Sequence, residues 1–336
     1  MRARRCKIYV IYQGTDITEE ISGDLLNLTY TDNATGWADD ISLELKDNEK
    51  KWLERWRVQQ NDTIEVYVEL KDWMFEGDNK TLKCGKFNID VPAYSGPPRV
   101  LTINGTSAPV NTNFTTPRDK VWEDITLEGI AGDVAQRIGY DLIFDSGRGR
   151  KYTSIEQKDT PDMDFLDKLC SSTGHGIKVA DNQIIIYDEI AYEGKGVIED
   201  YYESSHFLSS YALEDSRRSA GYGGVKVEYQ ESSDAQVIKA SFHAPGVSSE
   251  KIYKMTEFVS SVADAEYMAK AKLRELNKKT ATADLTIVGN PLLYAAGCLW
   301  LGDFGDYSGK YFIDKITHNL PEYSCDISAH KVLEGY

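Results

Sequence analysis

The sequence has little of what staples or metallates a fold. Its 336 residues include five cysteines, at positions 6, 84, 170, 298 and 325, an odd number with no Cys-x-x-Cys spacing. That argues against a disulfide framework or a four-ligand zinc site and for buried thiols acting as small apolar groups. Histidine is equally sparse: His175, His206, His243, His318 and His330 never stand three or four residues apart. No cofactor and no metal are expected. Long apolar runs are missing too, the longest being residues 291–301, too short to cross a bilayer. Positive charge is in deficit, with 38 Lys and Arg against 54 Asp and Glu, a net charge of −16. Such a surface does not grip phosphate as a whole. It is compatible with simple solubility, or with an acidic wall past which DNA slides without sticking.

The first residues are basic (Arg2, Arg4, Arg5, Lys7), but the apolar block after them covers only 8–12. This is shorter than the hydrophobic segment of a secretory signal and reads as a first strand, so the protein is expected to begin in a cytoplasm with no membrane anchor. The length allows two or three domains with well-packed cores.

What is present is mostly β patterning. Residues 7–12, 25–31, 41–45, 63–70 and 83–91 alternate apolar with polar side chains, Leu26, Leu28 and Tyr30 sharing one face. Period-two patterning with one apolar face predicts antiparallel strands with a wet side. Trp52, Leu53 and Trp56 recur at helical spacing, predicting a short helix within 47–58, and 72–80 reads as a hairpin loop. Gly96-Pro97-Pro98 breaks the pattern before one more strand at 99–104. The middle of the chain turns to mixed α/β. Thr126 is a helix N-cap and Gly139 a C-terminal stop around the stripe Leu127, Ile130, Ala131, Val134, Ala135 and Ile138. Thr160-Pro161 predicts a second helix start, cap then proline, and 177–180 with 183–187 a hairpin across Asp181-Asn182. Residues 193–205 are acidic and read as a linker. Strands return at 224–230, 235–243 and 280–288, with one amphipathic helix at 261–279, capped by Ser261 and Asp264. Near the end, 289–293, 296–304 and 309–318 predict three short strands joined by glycine turns, and 323–332 a fourth. The expected fold class is α+β, mainly β. The expected domains are a first β-barrel-like domain at 1–104, a middle α/β domain at 105–205 and a second β-barrel-like domain at 206–336.

Chemistry is harder to find. Cys170 and His175 could approach each other at the end of the second helix, as a catalytic pair or half a metal site, or be an apolar cysteine and a turn histidine. Trp37 with Asp39 and Asp40 makes an acidic, aromatic loop that serves either as a contact surface or as a solvated turn. Arg148 and Arg150, in Gly147-Arg148-Gly149-Arg150-Lys151, form the one local basic cluster, a phosphate contact or a solvated hairpin. It lacks a P-loop ending, and Gly221-Tyr222-Gly223-Gly224 is no dinucleotide fingerprint. No catalytic residue is assigned, and Trp37, Asp39, Asp40, Arg148 and Arg150 stand as interface candidates.

Two blocks carry a family resemblance. One runs from Ile125-Thr126-Leu127-Glu128-Gly129-Ile130-Ala131 to Ile155-Glu156-Gln157 and Thr160-Pro161-Asp162-Met163-Asp164-Phe165-Leu166. The other runs from the helix at 263–276 through Gly289-Asn290-Pro291, Gly302-Asp303-Phe304 and Gly309-Lys310-Tyr311-Phe312-Ile313 to Tyr336. This resembles the baseplate hub proteins of contractile phage tails and phage-tail-like bacteriocins, the late control D family. Gly289, Asn290, Pro291, Gly302, Phe304, Gly309 and Tyr311 are then structural motif residues. The resemblance implies two tube-like barrels per subunit and a homotrimer forming a pseudo-sixfold ring. That ring joins a hexameric tail tube or tube-initiator protein to a trimeric central spike and anchors baseplate wedge proteins, with DNA at most passing through the lumen. It implies a non-enzymatic protein of the virion or bacteriocin particle, assembled in the bacterial cytoplasm. A chain that stops just after its last strand is expected to carry no fused lysozyme or peptidase. The alternatives are a tail-associated cell-wall hydrolase and a carbohydrate-binding module.

Overall fold

A computed structural model describes residues 4–108, 116–230, 237–245 and 250–336. The chain is mainly β. Its largest feature is one 14-stranded sheet built from both ends of the sequence. Starting from one edge, the path runs Leu208–Asp215, Ala281–Val288, Ser324–Lys331, Gly309–Leu320, Leu25–Asn33, Asp40–Lys46, Val100–Thr106, Lys80–Ile89, Thr63–Lys71, Arg5–Tyr12 and Thr15–Asp16. Neighbours along the path are antiparallel. Two barrel-like modules were expected. No closed barrel forms among the described residues, and the early and late strands are instead welded at one seam.

That seam pairs Leu28 to Asn33 with Leu320 to Lys315, including Tyr30 opposite His318 and Leu28 opposite Leu320. Leu28, Tyr30, Ile316, His318 and Leu320 are buried on its inner face. Each such apolar side chain contributes about 1.5–3 kcal/mol by leaving water. The outer face carries Thr31 and Thr317, whose hydroxyls lie 3.2 Å apart. Leu26 does not share the face of Leu28: a register shift between Leu25 and Asn27 turns it outward, 45% exposed.

The middle of the chain makes two further sheets. Arg118–Thr126 pairs with Lys151–Thr160. Asp141–Asp145, Gln183–Asp188, His175–Ala180 and Trp37–Ala38 make the other, with the hairpin turning on Asp181 and Asn182, both at positive φ as such a tight turn demands. The helices Leu127–Ile138 and Asp162–Ser172 cover them, and Trp122, Leu127, Val134, Phe165 and Ile184 share their core. Thr126 caps the first helix by accepting from the Gly129 amide at 3.1 Å, and Gly139 closes it at φ 78°. The second helix differs from expectation: Pro161, not Thr160, holds its cap position, and the Thr160 hydroxyl turns back to the Lys158 carbonyl. The third long helix, Val262–Asn277, packs on a three-stranded sheet of Ile238–His243, Gly224–Tyr229 and Ile252–Met255.

Two further sequence expectations fail. The segment read as a linker contains the strand Val197–Tyr202, paired in parallel with Cys298–Gly302. Its acidic residues point outward while Tyr201 is buried, so charge masked a half-buried strand. Residues 289–293 were expected to form a strand of their own and make a turn instead, because Pro291 has no N–H to give a ladder, and the strand expected at 296–304 is confined to Cys298–Gly302, with Ala296 at φ 67° before it.

Candidate functional site

Among the described residues no pocket gathers a catalytic set. What the chain builds is a group of polar joints that tie the middle unit, the long helix and the great sheet to one another. The first joint forms because Asp32 falls on the buried face of its strand. Its carboxylate pairs with the Lys178 ammonium, which also reaches Asp39 at 3.0 Å. Asp32 further accepts from the Ala295 amide at 2.9 Å. Burial pulls the Lys178 ammonium down, but the two carboxylates outweigh it and hold it charged. Burial and the neighbouring Asp32 push the Asp39 carboxyl up to about 7 against the pull of Lys178. Asp39 also accepts from the Asn33 amide at 3.0 Å, while its own amide donates to Ser107, whose hydroxyl donates to the Val179 carbonyl at 2.6 Å.

The second joint uses the glycine-arginine hairpin. Arg148 forks onto Asp188, whose carboxylate also caps the turn Glu189–Glu193 through the Ile190 and Ala191 amides. Arg150 donates to the Phe258 carbonyl at 2.9 Å and to Asp264 at 3.0 Å. The third joint is the most buried. Arg274, on the long helix and 2% exposed, pairs with Glu193 at 2.5 Å. Glu193 also meets His330 at 3.3 Å, and His330 meets Asp314 at 2.8 Å. Burial alone would discharge His330, but its two carboxylates raise it to about 9. Lys278 adds a pair to Glu189 at 2.9 Å.

The sequence-predicted residues fall as follows. Asp39 lies inside the first joint and Asp40 is exposed at the start of its strand. The Trp37 backbone pairs with Lys178, and its side chain lies outside the described residues. Arg148 and Arg150 both make ion pairs within the chain. Cys170 and His175 do not form a pair: burial pushes the Cys170 thiol up, whereas His175 bonds Thr173 and Ser146 at 2.9 Å each and the Arg148 carbonyl at 3.1 Å. Lys178, Glu193, Arg274, Asp314 and His330 escaped the sequence reading. Nothing in their spacing marks them, because their partners lie 81 to 146 residues away or on a neighbouring strand.

The motif residues cluster at the sheet. A Cβ on Gly289 would strike the Tyr323 ring at 2.3 Å, and its carbonyl accepts from the Trp73 indole at 2.7 Å. The Asn290 side chain accepts from the Leu292 amide at 3.1 Å, and Pro291 begins the turn. Gly302 pairs with Tyr202. Phe304 meets Tyr211 edge to face at 5.1 Å. Gly309 needs φ 147°, and Tyr311 is fully buried with its hydroxyl donating to the Tyr307 carbonyl at 2.7 Å.

The fold is one shared with a solved phage tail protein. Over 96% of this chain and 98% of the other, it superposes with a TM-score of 0.73 and 13% identity on the 43 kDa tail protein of prophage MuSo2 from Shewanella oneidensis. In sequence the chain is similar to phage baseplate hub proteins. It is 31% identical over 166 residues to the probable baseplate hub protein of Escherichia phage P2, covering 49% of this chain and 40% of that one. It is 26% identical over 174 residues to that of Escherichia phage 186, covering 51% and 42%. The match thus spans less than half the length of these curated relatives. No family model matches the chain. No helix among the described residues is long and apolar enough to cross a membrane.

Proposed function

We propose that the chain is the structural hub of a contractile-tail baseplate, within a virion or bacteriocin particle. Three copies close a pseudo-sixfold ring, each contributing two tube-like β modules, within 1–104 and 206–336, with the α/β unit of 105–205 between them. The ring joins the hexameric tail tube to the trimeric spike and anchors the wedge proteins. Assembly takes place in the bacterial cytoplasm, and DNA at most passes through the lumen. The observation that carries this reading is the seam, since a part that passes contraction force between tube and spike needs its two β modules to move as one body. The seam makes them neighbours in one ladder with a dry inner face. The kinship with baseplate hub proteins supports the same reading, as does a set of buried charges spent entirely on internal joints. Trp37 and Asp40 are then contact residues for the other baseplate proteins.

The test is imaging of the purified chain, alone and with its spike and tube proteins, viewed down the symmetry axis, together with its native mass. A trimer with six similar lobes is expected. A chain that stays monomeric and enters no ring in the assembled particle overturns the proposal, and loss of turbidity on purified peptidoglycan would replace it with a hydrolase.

A further inference from the structure

The great sheet repeats its own plan. Strands of two or three residues aside, the early part of the chain supplies six: Arg5–Tyr12, Leu25–Asn33, Asp40–Lys46, Thr63–Lys71, Lys80–Ile89 and Val100–Thr106. The late part supplies six more, around the inserted three-stranded sheet and long helix: Val197–Tyr202, Leu208–Asp215, Ala281–Val288, Cys298–Gly302, Gly309–Leu320 and Ser324–Lys331. In both sets the side-by-side order is first, fourth, fifth, sixth, third, second. The first strand differs in direction, running antiparallel to the fourth in the early set and parallel to it in the late one.

The correspondence reaches single residues. Each second strand bulges at the same step, between Leu25 and Asn27 and between Leu208 and Ser210. Beyond the bulge Leu28 matches Tyr211 and Tyr30 matches Leu213, and on the third strands Leu45 matches Ile287. Leu45 pairs with Leu101 and Ile287 with Cys325, so these two match in turn. Tyr94 lies opposite Leu101 and His318 opposite Cys325. The short strand Ala93–Ser95, which continues the early fifth strand, is therefore the counterpart of residues 317–319 in the late one.

The seam joins the early second strand to the end of the late fifth strand. Their counterparts stay unjoined. Among the described residues Leu208–Asp215 pairs with Ala281–Val288 alone, and Ala93–Ser95 with Val100–Thr106 alone. Apolar side chains there are uncovered. Tyr211 is 46% exposed where its counterpart Leu28 is fully buried, and Val91, just before Ala93, is 67% exposed. A second contact at the seam also lacks its copy. Trp73, in the hairpin after the early fourth strand, donates to the Gly289 carbonyl in the loop after the late third strand. The matching late hairpin exposes Tyr307, and the matching early loop exposes Leu53 and Trp56.

An unpaired strand edge is a template for another chain. Within one chain these two edges lie at opposite ends of a run of eight strands and do not meet. Between copies they can, and a head-to-tail contact of this kind generates rings when its rotation closes. We propose that Leu208–Asp215 of one copy pairs antiparallel with Ala93–Ser95 of the next, repeating the seam in its own register. Ala93 then faces Glu214, as Thr317 faces Thr31, with Tyr94 opposite Leu213 and Ser95 opposite Ala212. Tyr307 covers Leu53 and Trp56 of the neighbour. Early and late sets alternate around such a ring. The proposal rests on the ring reading and supplies its neighbour contact.

The experiment uses the full chain carrying Ala93→Cys and Glu214→Cys together. Residues directly opposite in an antiparallel pair hold their Cβ atoms ~4.5–5.5 Å apart, within reach of a disulfide after a small adjustment. Mild oxidation should give covalent species up to three chains on a non-reducing denaturing gel, and each single variant should stay at the mass of one chain. Val91→Asp should raise the dissociation constant for self-association roughly 10-fold or more in sedimentation velocity, with Tm unchanged because the side chain is exposed. A double variant that gives no intermolecular cross-link overturns the proposal, as does a ladder of products running past three chains. Imaging of the assembled particle separates the two failures. A ring whose copies meet through other strands sinks this contact alone, and no ring at all sinks the contact and the hub reading together.

Discussion

The seam between the early and late strands and the joints around the middle unit are made of opposite materials. At the seam, Leu28, Tyr30, Ile316 and Leu320 are buried over a regular backbone ladder, His318 is pushed down to about 4 by burial and stays neutral, and the one buried carboxylate, Asp32, belongs to the first joint. At the joints the contacts are carboxylates, lysines, arginines and an imidazolium, most of them removed from water. Apolar burial is forgiving about angle, whereas a buried ion pair is stabilising only when both partners are in place. The seam therefore supplies bulk cohesion, and the joints fix where the middle unit and the long helix sit.

This contrast can be broken from either side. Arg274→Ala leaves Glu193 buried with only His330 beside it, and should cost ~3–5 kcal/mol in chemical denaturation. If it costs less than the removal of an exposed pair, the joint is ornamental. At the seam, Leu28→Ala should cost ~2–5 kcal/mol by transfer and cavity terms. It should also loosen both β halves together, read as hydrogen exchange rising in Arg5–Tyr12 and in Ser324–Lys331 alike. Exchange rising in only one of them would mean that the halves are independent. Lys178→Met leaves Asp32 and Asp39 facing each other and should lower Tm while preserving the middle unit's circular dichroism.

A titration sharpens the comparison. His330 has a folded pKa of about 9, above its ordinary 6.5, so its contribution is fully present below 6.5 and is lost as pH rises through 9. Stability of the wild type should fall across that window, and His330→Gln should remove the slope. An unchanged slope in the variant would assign the loss elsewhere. The smallest effect is expected at Asp215–Arg217, an exposed pair, where Arg217→Ala should change stability by at most ~1 kcal/mol.

Much of the fold is legible locally. The strands Asp40–Lys46 and Thr63–Lys71 announce themselves by period two, and the helix Leu127–Ile138 by a stripe between Thr126 and Gly139. The seam is not, because Thr31 and Thr317 are 286 residues apart and no local signal selects a partner. The strand Val197–Tyr202 was hidden by Glu199 and Asp200, acceptable on an edge that faces water. Of the site, the sequence pointed to Asp39, Arg148 and Arg150 as outward contacts, and all three take part in internal pairs. Composition says how much charge there is, and only tertiary placement says which charges end up facing each other. The resemblance to baseplate hubs came from runs that keep their meaning locally, such as Gly289-Asn290-Pro291, where glycine is required by the ring of Tyr323.

The position of Leu25–Asn33 has a consequence for the making of the protein. This strand leaves the ribosome well before its partner on one side, Gly309–Leu320, which follows only after nearly three hundred further residues. Throughout synthesis that flank offers unsatisfied amides and carbonyls to any extended chain nearby. The late strand is thus a safety catch. Until it arrives, the nascent protein is sticky and needs shelter, and once it is laid down the flank is sealed.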